Sequence, residues 1–170
     1  MSNVILIGMP GSGKTTVINI CKEVYGKQVW DTDAYIESLH GSISGIFAEF
    51  GEEYFRKLET DAVREICKKD GCLISTGGGC VMREENVRLF KSSGKIVYLK
   101  TNIETLLERL KGDTSRPLLV GNREERLAEL FDNRTPVYER IADIVVDTDG
   151  LTPEETVENV FAKLKESGGE

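Results

Sequence analysis

The residues best suited to chemistry are Gly8-Met9-Pro10-Gly11-Ser12-Gly13-Lys14-Thr15, which match G-x-x-x-x-G-K-[ST] at every fixed position. Glycines at this spacing let backbone N–H groups converge on phosphate oxygens, and a helix opening at the end of the loop adds partial positive charge. Lys14 suits the β- and γ-phosphates of a nucleotide, and the Thr15 hydroxyl suits a magnesium ion. Gly11, Ser12, Gly13 and Thr16 complete this candidate set. A chance glycine-rich turn is the plainer alternative, but an apolar run precedes the motif and a helical period follows it, as a phosphate loop requires. The motif alone does not separate kinase from ATPase or GTPase, although no NKxD-type guanine reader follows a later strand.

Further candidates follow other apolar runs. Asp31-Thr32-Asp33 comes directly after Val29-Trp30. In a strand-like continuation both carboxylates face one cleft, one to order a magnesium water shell and one to take a proton from an acceptor hydroxyl. A helix N-cap is the alternative reading. Gly77-Gly78-Gly79 after Leu73–Ser75 is costly in chain entropy and points to close approach of a ligand or another chain segment, where a plain turn would need one glycine. Arg56 lies four residues after Glu52, and an exposed ion pair is its ordinary reading. Arg116-Pro117-Leu118-Leu119 sits in the aperiodic stretch 111–123, which suits a mobile lid with an arginine over transferred phosphate. Arg134 and Arg140 read equally well as surface charges.

The elements that must position these residues alternate between apolar runs and helical periods. Strands are expected at Val4–Ile7, Val29–Trp30, Leu73–Ser75, Ile96–Leu99 and Ile144–Val146. Helices are expected over 34–39, 43–50, 52–68 and 84–92, and from the stripes Val17/Ile20/Cys21/Val24, Ile103/Leu106/Leu107/Leu110 and Leu127/Leu130/Phe131, the last broken or kinked by Pro136. Thr152, Pro153 and Glu155 form a capping box ahead of a helix with Val157, Val160, Phe161 and Leu164 on its buried side. This alternation predicts an α/β fold with a five-stranded parallel sheet covered by helices on both faces and ligands at the carboxyl ends of the strands.

Length and composition bound the function. At 170 residues, 39% hydrophobic and 30% charged, the chain is expected to be one domain with a real core. A net charge of −7 argues against nucleic acid or an anionic membrane as partner, while leaving room for a small anion held by a few focused cations. No apolar run approaches the roughly 20 residues needed to cross a bilayer, and the N-terminus lacks a basic leader region, so a cytoplasmic protein is expected. Cys21, Cys67, Cys72 and Cys80 lack zinc-ligand spacing and read as reduced thiols. The one histidine, His40, reads as a helix end rather than a catalytic group.

In order along the chain, GMPGSGKTT, DTD followed by Ile-Glu, SISGIF, GEEYFRKLE, STGGG, RPLL and NRTPVYERIAD ahead of VVDT resemble the shikimate kinase family from Gly8 to about Asp147. The phosphate loop is common to many families; the combination of DTD, FRKLE, TGGG and RPLL is specific. The resemblance implies a three-layer P-loop kinase fold, here one domain over 1–170 with a lid at about 111–123 and an acceptor-binding region at about 32–60. It implies magnesium-dependent transfer of the ATP γ-phosphate to the 3-hydroxyl of shikimate, in aromatic amino-acid synthesis, by a monomer. Position by position, it makes Asp33 the base, Arg56 and Arg134 the holders of the shikimate carboxylate, and Gly78 with Gly79 a backbone surface against the substrate. Lys14 and Arg116 would neutralise the phosphates, Arg109 would stack on adenine, and Phe47 and Phe55 would wall the acceptor ring. Thr15 would ligate Mg²⁺ directly and Asp31 through water. Cys80 stands where the family usually has alanine, which could make the site sensitive to thiol reagents. Two rivals remain: a kinase for another hydroxy acid such as gluconate, and an inactive shikimate-sensing module. The latter predicts loss of Lys14, Asp33 or Arg116, and all three are present.

Overall fold

The computed structural model describes residues 2–112 and 122–168. The strands β1 (Asn3–Ile7), β2 (Val29–Asp31), β3 (Leu73–Ser75), β4 (Gly94–Lys100) and β5 (Ile144–Asp147) form one parallel sheet in the order β2-β3-β1-β4-β5. Among the described residues the α-helices are α1 (Lys14–Tyr25), α2 (Thr32–His40), α3 (Ile43–Phe50), α4 (Glu52–Ile66), α5 (Glu84–Ser93), α6 (Ile103–Leu110), α7 (Arg123–Ile141) and α8 (Pro153–Glu166). A short 3₁₀ turn, Cys80–Met82, follows the triple glycine.

Burial on both faces explains why β1 is continuously apolar. Ile5 and Ile7 point into a core with Ile74, Ile96 and Tyr98, covered by Val63 and Ile66 of α4, Phe90 of α5, Leu106 of α6 and Leu127 and Tyr138 of α7. Leu6 points the other way, with Leu73, Val97 and Leu99, under Val17, Ile18 and Cys21 of α1 and Val157, Val160 and Leu164 of α8. A separate small core of Ile36, Ile46, Phe55 and Ala62 joins α2, α3 and α4.

From β1 the chain crosses over β3 to reach β2, and later returns to the other side of β1 to form β4. The loops after β1 and β3 therefore diverge and leave a crevice at the carboxyl edge, the usual ligand position in open α/β sheets. Side-chain hydrogen bonds lock that edge. The Thr76 hydroxyl donates to the Leu6 carbonyl at 2.9 Å, and the Gly77 N–H donates to the Thr32 hydroxyl at 3.0 Å.

The observed elements depart from sequence expectation at three points. Asp31-Thr32-Asp33 is not a strand-like continuation, because the Asp31 carboxylate accepts from the Ala34 N–H at 2.9 Å and caps α2. Pro136 does not break its helix: α7 runs through it, held by the buried face Arg134, Tyr138 and Ile141 at i, i+4 and i+7. Val24, expected on the buried stripe of α1, is 69% exposed, since residues 22–28 lie beyond the packed layer and Ile18 takes the stripe's inner place. The capping box at Thr152 and Glu155 is present with both reciprocal bonds, and His40 ends α2.

Gly94 and Gly26 show that glycines are required for different reasons. Gly94 has an extended backbone (φ 174°), but a Cβ there would stand 1.9 Å from the Asn3 carbonyl oxygen of β1. Gly26 caps α1 in the left-handed region (φ 63°) with nothing within 4 Å. Gly94→Ala should therefore force β1 and β4 apart and destabilise by about 3 kcal/mol. Gly26→Ala should cost only about 1 kcal/mol of backbone strain. Urea midpoints at unchanged m-value measure both, and equal losses would contradict the distinction.

Candidate active site

The phosphate loop spans the turn from β1 to α1. Gly11 (φ 87°) and Gly13 (φ 99°) adopt left-handed conformations, and Gly13 is the N-cap of α1 without a side-chain cap. The helix's first N–H groups are thereby left facing the crevice, where an anion can take them up. Gly8 is fixed by space, since a Cβ would lie 2.8 Å from both the Leu99 carbonyl oxygen and the Ser12 hydroxyl. Lys14 is buried, and its ammonium donates to the carbonyls of Gly8 (2.7 Å) and Met9 (3.0 Å). These contacts store the cation inside the loop, within reach of an incoming phosphate. Arg109, at the end of α6, reaches across to donate to the Gly11 carbonyl at 2.6 Å.

A cavity of about 370 Å³ opens from this loop. Gly11, Ser12, Gly13, Lys14, Thr15, Thr16 and Arg109 line one side, Asp31, Asp33, Gly77 and Gly78 another, and Thr148, Leu151 and Pro153 the far end. It joins the phosphate loop to the Gly77–Gly78 end of the triple glycine.

Acidic groups gather on the β2–β3 side. Burial and the neighbouring Asp31 carboxylate push Asp33 up to about 6, against the pull of Lys14. Glu59 of α4, 1% exposed, is pushed upward by burial against the opposing pull of Arg56. Its Oε1 accepts from Arg56 at 2.9 Å, while its Oε2 accepts no hydrogen bond among the described residues. Both acids converge over Gly77, where a Cβ would stand 2.8 Å from Asp33 Oδ1 and 3.1 Å from Glu59 Oε2.

The arginines gather over the next two glycines. A Cβ at Gly78 would meet Arg134 Nη1 at 2.8 Å and Pro10 Cδ at 2.9 Å. At Gly79 it would meet Arg56 Nη2 at 2.7 Å and Arg134 Nη2 at 2.9 Å. The triple glycine is thus a surface on which two guanidinium groups, two carboxylates and the phosphate loop all pack. Arg56 makes the expected ion pair with Glu52 (3.2 Å) and a second with Glu59, so the exposed-pair reading captured half of its environment. Its guanidinium carbon also lies 5.3 Å from the Phe55 ring centroid, and Phe55 packs on Phe47 with centroids 4.9 Å apart. Arg134 is 5% exposed, unlike the exposed Arg140, and cannot be read as a surface charge.

The structure brings Lys14, Asp33, Arg56, Arg134 and the glycine surface together; Arg140 is exposed, and Arg116 lies outside the described residues, as does most of the lid segment at 111–123. Cys80 is fully buried and its thiol is held neutral by burial, so the sensitivity to thiol reagents anticipated from sequence does not follow. Two neighbours escaped sequence reading. Glu59 stands three residues after Arg56 inside FRKLE, a spacing that already places it on the same helix face. Tyr138, four residues after Arg134 in α7, is completely buried and its hydroxyl donates to the Gly78 carbonyl.

Among the described residues no cluster of three or more His, Cys, Asp or Glu side chains could hold a metal alone. A hydroxyl (Thr15) and a carboxylate (Asp31) lining the same cavity instead match an ion that arrives with phosphate oxygens as further ligands, as Mg²⁺ does.

A family model described as Shikimate kinase matches residues 10–165. The shikimate kinase of Thermodesulfovibrio yellowstonii is 44% identical, covering 97% of this chain and 96% of the relative. That of Sulfurihydrogenibium sp. is 40% identical, covering 97% and 99%. Among solved structures, shikimate kinase from Acinetobacter baumannii in complex with shikimate is similar with a TM-score of 0.92, at 32% identity over 98% of this chain and 94% of that one. The Aquifex aeolicus enzyme gives a TM-score of 0.84 at 35% identity, over 98% of both chains. Sheet order, phosphate loop, glycine surface and matches along almost the whole length agree, and the chain belongs to the shikimate kinase family.

Proposed function

We propose that this chain transfers the γ-phosphate of ATP to the 3-hydroxyl of shikimate, giving shikimate 3-phosphate and ADP. The observation that carries the reading is the contact of Pro10 with Gly78, where a phosphate-binding loop meets a pocket of two arginines and a carboxylate. A nucleotide phosphate and a small hydroxy acid held by these groups would have their reacting ends adjacent, and positioning supplies much of the rate in phosphoryl transfer.

The roles follow from the chemistry of each group. Arg56 and Arg134 offer planar, paired donors that match a carboxylate bidentately, which a lysine would not reproduce. Asp33 accepts the proton of the acceptor hydroxyl as that oxygen forms its bond to the γ-phosphorus. The bond from phosphorus to the β–γ bridging oxygen breaks, and its electron pair leaves with ADP. Lys14 exchanges its carbonyl partners for phosphate oxygens and neutralises the charge they carry. Thr15, with Asp31 through water, would hold Mg²⁺, which would supply charge neutralisation to the phosphates. Arg109 lies over the nucleotide, and Phe47 and Phe55 back the acceptor ring. Arg116 is assigned to the phosphates on sequence alone, as the lid residue that closes over ATP and keeps water from hydrolysing it. We further read the chain as a single kinase domain acting as a monomer. Four free cysteines suit a reducing, cytoplasmic setting. No described helix is long and apolar enough to cross a membrane.

Coupled ADP release with shikimate, gluconate or a nucleoside monophosphate as acceptor tests the assignment. Turnover is expected with shikimate, and turnover only with another acceptor would sink it. Asp33→Asn should bind ATP normally and lose most turnover. It should melt no lower than wild type at pH 8, because a carboxylate whose pKa is raised by burial opposes folding when ionised. In the wild type the acid limb of kcat/KM should fall as pH drops through about 6, where Asp33 gains its proton. A flat profile from pH 5 to 8 would remove Asp33 as the base.

Gly79→Ala should displace the paired and buried guanidinium groups of Arg56 and Arg134, which the added methyl would meet at 2.7 and 2.9 Å. It should raise the shikimate KM, as should Arg134→Ala, with little change in the ATP KM. An effect confined to ATP would contradict the placement of both arginines.

A further inference from the structure

Tyr138 lies one helical turn from Arg134 and reaches the glycine surface, yet it touches no reacting atom assigned above. Its ring fills the main core against Tyr98, with centroids 5.2 Å apart. An apolar slot of that shape would accept phenylalanine, and a buried hydroxyl is tolerated only when its hydrogen bonds are made. Here the hydroxyl donates to the Gly78 carbonyl, and the Arg134 guanidinium, one helical turn back along α7, packs over the same glycine.

The two arginines are held differently. Arg56 is paired with the carboxylates of Glu52 and Glu59, so much of its charge is already answered. Arg134 is buried beside Arg56, which repels it, and the Glu59 carboxylate affects it less than the tyrosine does. A carboxylate in direct contact with Arg134 would compete with an acidic substrate. A neutral phenol oxygen fixes the direction of the guanidinium and leaves its positive charge available. Because the same hydroxyl fixes the Gly78 carbonyl, the arginine and the glycine backbone keep one relative position.

We propose that Tyr138 is a positioning residue for the acceptor carboxylate, its hydroxyl aiming Arg134 and anchoring the Gly78 backbone as a unit. This rests on the shikimate kinase reading of the site. Wild-type turnover with shikimate is therefore measured first, and its absence overturns that reading and this proposal with it. Given wild-type turnover, Tyr138→Phe should raise the shikimate KM roughly ten-fold, the usual scale for losing a hydrogen bond to a charged group. Its kcat and ATP KM should stay within roughly two-fold of wild type, the pattern for lost ground-state binding. A fall in melting temperature with an unchanged shikimate KM assigns Tyr138 to the core alone and overturns the proposal, as does an equal rise in both KM values. In an Arg134→Ala background the same substitution should add little further to the shikimate KM, and full additivity also overturns it. Should Tyr138→Phe not fold, wild-type protein labelled with ¹³C at tyrosine Cζ decides. The Tyr138 signal, told from that of the other buried tyrosine by its persistence in Tyr98→Phe, must shift on adding shikimate. An unmoved signal overturns the proposal.

Discussion

Three consecutive glycines at the carboxyl end of β3 leave no room for a side chain, and the site is arranged around that lack of room. Asp33 and Glu59 close on Gly77, Arg134 and Pro10 on Gly78, and Arg56 with Arg134 on Gly79. A methyl group at any of the three would enter a space that a carboxylate, a guanidinium or the phosphate loop already occupies. Opposite charges thus come within a few ångströms of one backbone, held apart by peptide groups, without collapsing into an exhaustive set of internal ion pairs. The edge bonds from Thr32 to Gly77 and from Thr76 to Leu6 keep that backbone in register with β1 and β2.

The electrostatics follow from this packing. A chain of net charge −7 has to attract anionic substrates against its own average field. It does so by sequestering cations: Lys14 and Arg134 are buried at the crevice. Outside, many carboxylates are already answered in pairs such as Arg64–Asp61, Lys68–Glu65 and Arg83–Glu53, which contribute little individually. Inside, burial raises Asp33 toward the range where a carboxylate can both hold and release a proton near neutrality.

Much of this architecture was legible in the sequence because it rests on local signals. The phosphate loop, the strand at Leu73–Ser75, the helix over 43–50 and the capping box at Thr152 are each written in adjacent or periodically spaced residues. What escaped was decided by tertiary neighbours. Whether Arg134 is a surface charge or a buried cation depends on which residues α7 faces, and no spacing states that. The continuity of α7 through Pro136 is likewise secured by the buried residues on either side, which outweigh one missing hydrogen bond. Asp31 shows a third case, where both readings hold at once: it caps α2 and also lines the cavity. Glu59 and Tyr138 were hidden for a further reason, since each lies within a quoted motif but beside an arginine that drew the functional reading.

The small core of Ile36, Ile46, Phe55 and Ala62 has a separate consequence. These residues make few connections to the two large cores that clamp the sheet, so α2 and α3 are secured by only a handful of buried side chains. Opening them would expose a small fraction of the apolar area released by global unfolding, and free energies of partial opening scale with such area. Backbone amides in α2 and α3 should accordingly trade hydrogen for deuterium well before those of β1 and β4. Ligand-induced slowing of that exchange should appear in this cap and in the phosphate loop, leaving the sheet interior's own exchange clock unaltered.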